Sequence, residues 1–383
     1  MTDYQRIFLS VIHASLEQTT ASIPDTFDFE RAYQTARMQQ IIPLFYYGAA
    51  QSPAFLASSV SERFFSDTCK LLARSERQNT EIQKICKAFE AKGIDFCCLK
   101  GAILQNLYPQ KGMRVMGDAD ILIRIEQYEQ IKPIMLSLGY TEGIESDHEL
   151  IWNKAGALHV ELHKRLIPSY NKDYNAYYLD SWNRIKNHEM SPEDLFIYLL
   201  THFAKHYRDT GAGVKYITDL YLFEKHYPNL NRTYLEQELS LLKLSDFYRN
   251  LSEMIGVWFE GKESTKMSDF LTDRILSHGV WGTKENSTLS QGLKYRKANT
   301  SARKAKMIAL LFPPYAMMCK RYPTLQTVPV LLPFFWISRW CDTLLFRRKN
   351  LRKQCRSLKR MSEENIQKYQ RDLNYVGLDY HFE

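Results

Sequence analysis

The stretch Gly117-Asp118-Ala119-Asp120-Ile121-Leu122-Ile123 constrains this chain more than any other. In a β-strand, alternate side chains share a face. Asp118 and Asp120 are therefore expected to point the same way, while Ile121 to Ile123 runs in or near a sheet core. Two carboxylates side by side repel unless a cation lies between them. Hard oxygen ligands of this kind suit Mg²⁺, which takes one or two carboxylates and then substrate phosphates. A bare Asp-x-Asp is equally compatible with a solvated surface strand, so its neighbours decide its meaning.

Upstream, Ile94 to Leu99 reads as a strand, and Lys100-Gly101-Ala102 leads into a helix expected over Ala102 to Leu107, closed by Tyr108-Pro109. A strand, a glycine turn and a helix start direct backbone N–H groups at an anion. Glycine admits a phosphate closely, and Lys100 adds a point charge. Downstream, Leu150 to Asn153, a turn at Lys154-Ala155-Gly156-Ala157, and Leu158 to His163 read as a β-hairpin. Its second strand puts His159, Glu161 and His163 on one face and Leu158, Val160 and Leu162 on the other. Glu161 thereby supplies a third carboxylate. The His-x-Glu-x-His run also admits a transition-metal reading, but no further ligand cluster is evident, and a plain polar strand face is preferred for the histidines.

Gly, then Asp-x-Asp on a strand, then a third acid on a later strand resembles the nucleotidyltransferase superfamily that includes DNA polymerase β and the aminoglycoside nucleotidyltransferases. More closely, Leu99-Lys100-Gly101, Tyr108-Pro109, Arg114-x-x-Gly117-Asp118-x-Asp120-Ile121-Leu122-Ile123 and His159-Val160-Glu161-Leu162-His163 resemble a poorly characterised bacterial branch of it. The motif-bearing part covers about 94–165, with weaker similarity into the stretch holding His202, His206 and Asp219. Many members carry Gly-Ser after the first strand, where the serine helps hold the triphosphate. Here the turn is Lys-Gly-Ala, so phosphate binding must rest on backbone groups, Lys100 or another residue.

The resemblance implies an α+β fold with a small mixed sheet and helical flanks. It also implies Mg²⁺-dependent transfer of a nucleoside monophosphate from an NTP, with ATP the expected donor, to a hydroxyl or phosphate acceptor, releasing pyrophosphate. On this expectation Asp118 and Asp120 hold the pair of Mg²⁺ ions, and Glu161 completes the second metal site and helps ionise the acceptor hydroxyl. Lys100, Gly101, Arg114 and Gly117 are the expected phosphate-binding positions. The acceptor (small molecule, sugar or protein) stays open. So do two other readings: a binding protein that kept the fold without turnover, and phosphoryl transfer with the same metal site.

At 383 residues the chain is long enough for two or three domains. Helical stripes fill 1–92, ending on a long pattern from Ser61 to Lys92 that Gly93 closes. The nucleotidyltransferase-like core is expected over 93–188, a helical domain over 189–300, and a basic, apolar-rich segment over 301–383. Ser191-Pro192-Glu193-Asp194 announces a helix: an N-cap, a proline at the first position, acids in the first turn. His202, His206, Lys215 and Asp219 are candidates to face the cleft, with ordinary interhelical contacts the preferred reading. Gly261 to Ser301 is polar and low in regular pattern, and reads as containing a flexible segment or a long loop.

The net charge of +8 is unevenly placed. Between Arg303 and Arg360 stand 14 Lys and Arg against one acid, Asp342, a net of +13 that leaves −5 for the rest. The apolar runs Met307 to Cys319 and Tyr322 to Ser338 are interrupted by prolines and are too short to span a bilayer. This segment either lies on an anionic membrane surface or meets another acidic partner, or docks on the body with Phe334, Phe335 and Trp336 buried; the docked form is preferred. No recognised motif supports nucleic-acid binding, and nucleic acid is not expected as a partner. Seven scattered cysteines, with no Cys-x-x-Cys, suggest neither a disulfide framework nor a zinc site. A cytoplasmic protein, at most peripheral to the inner face of the membrane, is expected.

Overall fold

Strand parity organises the part of the molecule that carries the acid residues. The computed structural model describes residues 1–156, 159–280, 282–295, 301–346 and 348–379. Five strands, β1 (Phe96–Cys98), β2 (Ala119–Ile123), β3 (Thr141–Glu145), β4 (Glu149–Asn153) and β5 (His159–His163), form one sheet in the order β1-β2-β5-β4-β3. β2 and β5 run parallel at the centre; the other pairs are antiparallel. The protein is thus α+β with a small mixed sheet.

Ala119, Ile121 and Ile123 of β2, Leu150 and Trp152 of β4, and Val160 and Leu162 of β5 all enter one apolar core. Alternation then sends Asp120, Glu149, Glu161 and His163 to the opposite face. The core is closed by Ile82, Ile85 and Phe89 from the helix Ser61–Glu90 and by Ile131 and Met135 from the helix Tyr128–Ser137. Burying each such side chain contributes about 1.5–3 kcal/mol, which fixes the face assignment: a one-residue slip would put carboxylates in the core. Further up the chain, Phe8, Phe45, Phe55 and Phe64 make a separate aromatic cluster, with Phe45 and Phe64 stacked at 5.0 Å.

The structure differs from the sequence reading in several places. β2 starts at Ala119, so Asp118 stands one residue before the strand instead of inside it. β3 was not expected; all of its residues are exposed, so no hydrophobic alternation marks it. The stretch 261–301 is not a long loop but holds the helices Lys266–His278 and Lys284–Tyr295. The first is set by a Thr265–Ser268 capping box and buries Leu271 and Ile275, four apart on one face. The Leu158 side of the hairpin lies outside the described residues.

Contacts divide the chain into two units, Met1–His206 with Ala212–Trp281, and Tyr207–Gly211 with Gly282–Glu383. The second unit is helical, and within it Met318, Cys319 and Leu325 form a small core with Tyr322, Leu332, Phe335 and Trp336 against it. Phe334 does not join that core and is 63% exposed; Val330 and Leu345 stand out similarly at 79% and 63%. Among the described residues no helix is long and apolar enough to cross a membrane.

Candidate active site

Asp120 and Glu161 are register partners in the parallel ladder between β2 and β5, so adjacent strands deliver two carboxylates to one point. Asp118 joins them from the approach to β2. With Lys100, Gly101, Arg114 and Gly117, all seven residues singled out from the sequence line one cavity of about 260 Å³. The ligand atoms of Asp120, Glu161 and His163 lie within 4.8 Å of one another.

Lys100 follows β1 in a backbone conformation that L-residues rarely adopt, φ 44° and ψ −112°. That turn aims its ammonium at Asp120 Oδ1, 2.7 Å away. His163 Nε2 reaches the same oxygen at 2.8 Å and Glu161 Oε2 at 3.6 Å. Gly101 is required by close approach: a Cβ there would stand 2.7 Å from Arg114 Nη1 and 2.9 Å from Met116 Cγ. The helix that follows is a single turn, Gly101–Leu104, and its first amides are already engaged. Ala102 N–H donates to Leu99 O, and the Ile103 and Leu104 N–H groups donate to Lys100 O. The expected backbone cradle is therefore reduced, and positive charge in the cavity comes from side chains.

Arg114 is buried and bidentate on Asp219, Nε to Oδ1 at 2.7 Å and Nη2 to Oδ2 at 2.8 Å. The Tyr108 hydroxyl donates to the same carboxylate at 2.8 Å. This clamp ties the loop ahead of β2 to the helix Val214–His226 and commits most of the Arg114 guanidinium. Asp219 is thus held by a helix-to-loop contact, and it lines the cavity together with His202, His206 and Lys215. Among the described residues Lys215 has no ion pair and no side-chain hydrogen bond.

Burial disfavours charge on Asp120, but the Lys100 ammonium and the His163 ring outweigh it and hold the carboxyl well below the usual range. Asp118 goes the other way: burial, then the Asp120 charge, raise it. Burial opposes a charged His163, yet its bonds to Asp120 and Glu161 prevail and raise it. Burial, then the Arg114 charge, push Lys215 down to about 8. His202 and His206, with Nε2 atoms 3.0 Å apart, are driven well below the ordinary imidazole value, chiefly by burial, and are neutral at pH 7.

Sequence reasoning missed several polar cavity residues: Lys205 and Tyr216 on the helical side and, on the sheet side, the pair His148 and Glu149. The members of that pair are 2.9 Å apart, and the His148 ring centroid is 5.9 Å from that of His163. The hairpin reading contained the signal. Pairing Leu150 with Leu162 extends the ladder one step, to Glu149 opposite His163, although the apolar run begins only at Leu150.

Among solved structures, the chain is similar to the antibiotic-resistance factor ANT(2'')-Ia, at 13% identity over 46% of this chain and 95% of that one, with a TM-score of 0.31. No curated protein sequence matches. The family model described as "Uncharacterised nucleotidyltransferase" matches residues 25–260, more than half of the chain and the whole of the acid-bearing sheet. The chain therefore belongs to this uncharacterised nucleotidyltransferase family.

Proposed function

We propose that the protein transfers a nucleoside monophosphate from an NTP, ATP by preference, to a hydroxyl or phosphate acceptor and releases pyrophosphate. The observation that carries this reading is the in-register pairing of Asp120 with Glu161, with Asp118 beside them in one cavity. The donor set fits a hard divalent cation: three carboxylates line one cavity, and Asp118 is raised by burial and then by the Asp120 charge, with no bonded counter-charge of its own among the described residues. Asp118, Asp120 and Glu161 would hold two Mg²⁺ ions, with His163 on the rim of that set. Such ions, when bound, neutralise the triphosphate and stabilise both the attacking and the leaving oxygens of an in-line displacement.

The chain's own groups then have distinct work. Lys215, unpaired at the cavity wall, is the side chain best placed to neutralise phosphate charge. Lys100 holds Asp120 ionised and offers its remaining ammonium protons to the phosphates. Glu161 takes the proton of the acceptor hydroxyl as its oxygen bonds to the α-phosphorus. Gly101 keeps the approach open.

One observation favours a second reading, nucleotide binding without turnover: both Lys100 and His163 occupy Asp120 Oδ1. Incubating the protein with Mg²⁺ and ATP labelled at the α or the γ phosphate, in the presence of cell extract, separates the possibilities. Label from the α position in an acceptor supports nucleotidyl transfer. Label from the γ position means phosphoryl transfer, and ATP bound but recovered intact means binding alone.

For the C-terminal segment we propose an anionic membrane surface as partner. Exposed Phe334, Ile337, Leu344 and Leu345 accompany the +13 charge of 303–360, the combination that holds an interfacial helix on acidic lipid.

A further inference from the structure

A second cavity, of about 650 Å³, shares Met116, Gly117, Asp118 and Glu161 with the first. Its size is that of a small-molecule site, which spans roughly 300–1,000 Å³. Its other walls come from the helices Phe29–Met38 and Ser61–Glu90, through Arg37, Asp67, Lys70 and Arg74. Asp118 and Glu161 therefore stand at the junction of two chambers, while Asp120 lines only the first.

Three cations of the second chamber, Arg37, Lys70 and Arg74, face three acids, Asp67, Asp118 and Glu161; with Asp118 and Glu161 given to metal ions, as proposed above, the cations are in excess. Asp67 is fully engaged, accepting from Lys70 Nζ at 2.9 Å and from the Tyr33 hydroxyl at 2.6 Å. Arg74 donates only to a neutral group, the Gly117 carbonyl, at 3.2 Å. The Arg37 side chain has no ion pair or hydrogen bond among the described residues; its charge acts on Asp67 only as a weaker effect, behind the bonds from Tyr33 and Lys70. Neither guanidinium thus donates to a carboxylate, and the acids of the adjoining wall, Asp118 and Glu161, are those that metal ions would hold. Guanidinium in such a position selects carboxylate or phosphate, often by two parallel hydrogen bonds, and a cationic compound would meet like-charge repulsion.

We infer that this chamber is the acceptor site, and that the acceptor is a small hydroxyl compound bearing a phosphate or carboxylate group. The inference rests on the nucleotidyl-transfer reading above. In-line displacement needs the acceptor opposite the leaving pyrophosphate, and the cationic wall of Lys100 and Lys215 puts the triphosphate in the first chamber. The acceptor oxygen bonds to the α-phosphorus, and the bond from that phosphorus to the bridging oxygen breaks. Pyrophosphate leaves with the electron pair, and the hydroxyl proton passes to Glu161, which lines both chambers.

The test uses the full-length protein, Mg²⁺ and α-labelled ATP. A small-molecule extract is divided on an anion-exchange resin into a retained and an unretained fraction. Label is expected in compounds of the retained fraction; phosphatase or esterification treatment of that fraction before the assay then distinguishes phosphate-bearing from carboxylate-bearing acceptors. The charge-reversing variant Arg37→Glu is expected to raise the KM for the acceptor by about tenfold or more, against a much smaller change in the KM for ATP. Label confined to the unretained fraction, or an acceptor KM indifferent to Arg37→Glu, overturns the inference and leaves nucleotidyl transfer standing. Hydrolysis of ATP to AMP and pyrophosphate with no labelled acceptor in either fraction does the same. A protein that neither binds nor cleaves ATP overturns both.

Discussion

Lys100 Nζ and Asp120 Oδ1 are 2.7 Å apart, on residues twenty positions apart in the chain, with side-chain exposures of only 16% and 6%. One of the three acids therefore carries its own counter-charge in a low-dielectric setting, while Asp118 feels that charge too weakly to offset its burial and the Asp120 charge. The pair joins the turn after β1 to the centre of β2. With His163 it holds the Asp120 carboxyl well below the usual carboxylate range, and both bonds fall on Oδ1.

Removing Lys100 should expose that dependence. Lys100→Met is expected to lower the stability of the protein by roughly 3–5 kcal/mol, the usual effect of leaving one member of a buried pair uncompensated. Millimolar Mg²⁺ should restore more stability to the variant than it adds to the unaltered protein, because a cation then replaces the lost ammonium. Thermal melts of both proteins with and without Mg²⁺ check this. An equal Mg²⁺ effect on the two would show that Asp120 is not a metal ligand.

Asp118→Asn should separate stability from activity. The Asp118 carboxyl is raised by burial and by the Asp120 charge, so its ionised form disfavours the fold near neutral pH. Its neutral isostere is expected to be at least as stable, with a gain on the order of 1 kcal/mol, while nucleotidyl transfer falls by about 10² or more. Chemical denaturation and the α-label assay together decide; a variant that is both unstable and active would contradict the assignment.

Lys215 gives two pH effects of opposite sign. Its folded value, about 8, lies below the ordinary 10.5, so the charged form costs stability at neutral pH. Stability attributable to this group should rise with pH between about 8 and 10.5, where only the unfolded chain binds the proton. Affinity of the free enzyme for ATP should instead fall as pH passes through about 8, since the neutral amine no longer faces the phosphates. Calorimetric titrations of the unaltered protein and Lys215→Met across that window test both; in the variant the ATP affinity should be weaker and flat.

The Arg114–Asp219 clamp should behave as one unit. Arg114→Ala or Asp219→Ala alone is expected to cost about 3–5 kcal/mol, because each leaves a buried charge unpaired. The double variant should cost clearly less than the sum, with a coupling of about 1–3 kcal/mol. A strictly additive denaturation cycle would mean that the clamp is not the coupling between the loop before β2 and the helix Val214–His226.

For the C-terminal segment, sedimentation with vesicles containing acidic lipid is the measurement. Binding is expected at low salt and should weaken steeply as salt is added, since each basic residue near the surface contributes ~1 kcal/mol within a Debye length. Phe334→Asp with Ile337→Asp should abolish it while leaving the melting temperature nearly unchanged, because both side chains are already exposed. Persistence of binding in that variant would rule out insertion of this face.

What the sequence determined by itself is local and periodic. Alternation in Asp118 to Ile123 and in His159 to His163 dictated which side chains face the core, because burying a carboxylate there is prohibitive and a strand has only two faces. The cap at Ser191 and the turn at Gly156 bracketed the neighbouring elements for the same kind of reason, short-range backbone chemistry. Exposed β3 carried no such pattern, and the helices within 261–301 were hidden by polar surface residues around a thin apolar stripe. Which charges cancel was decided only by the tertiary structure. Lys100 and Arg114 look alike in sequence as phosphate ligands, yet one is seated on Asp120 and the other on Asp219, 105 positions away. Ion pairing depends on distances of a few Å between groups distant in the chain, and no spacing rule encodes those. The same holds for the second chamber: Arg37, Arg74 and Asp118 come from two helices and a loop, and only their packing makes them neighbours.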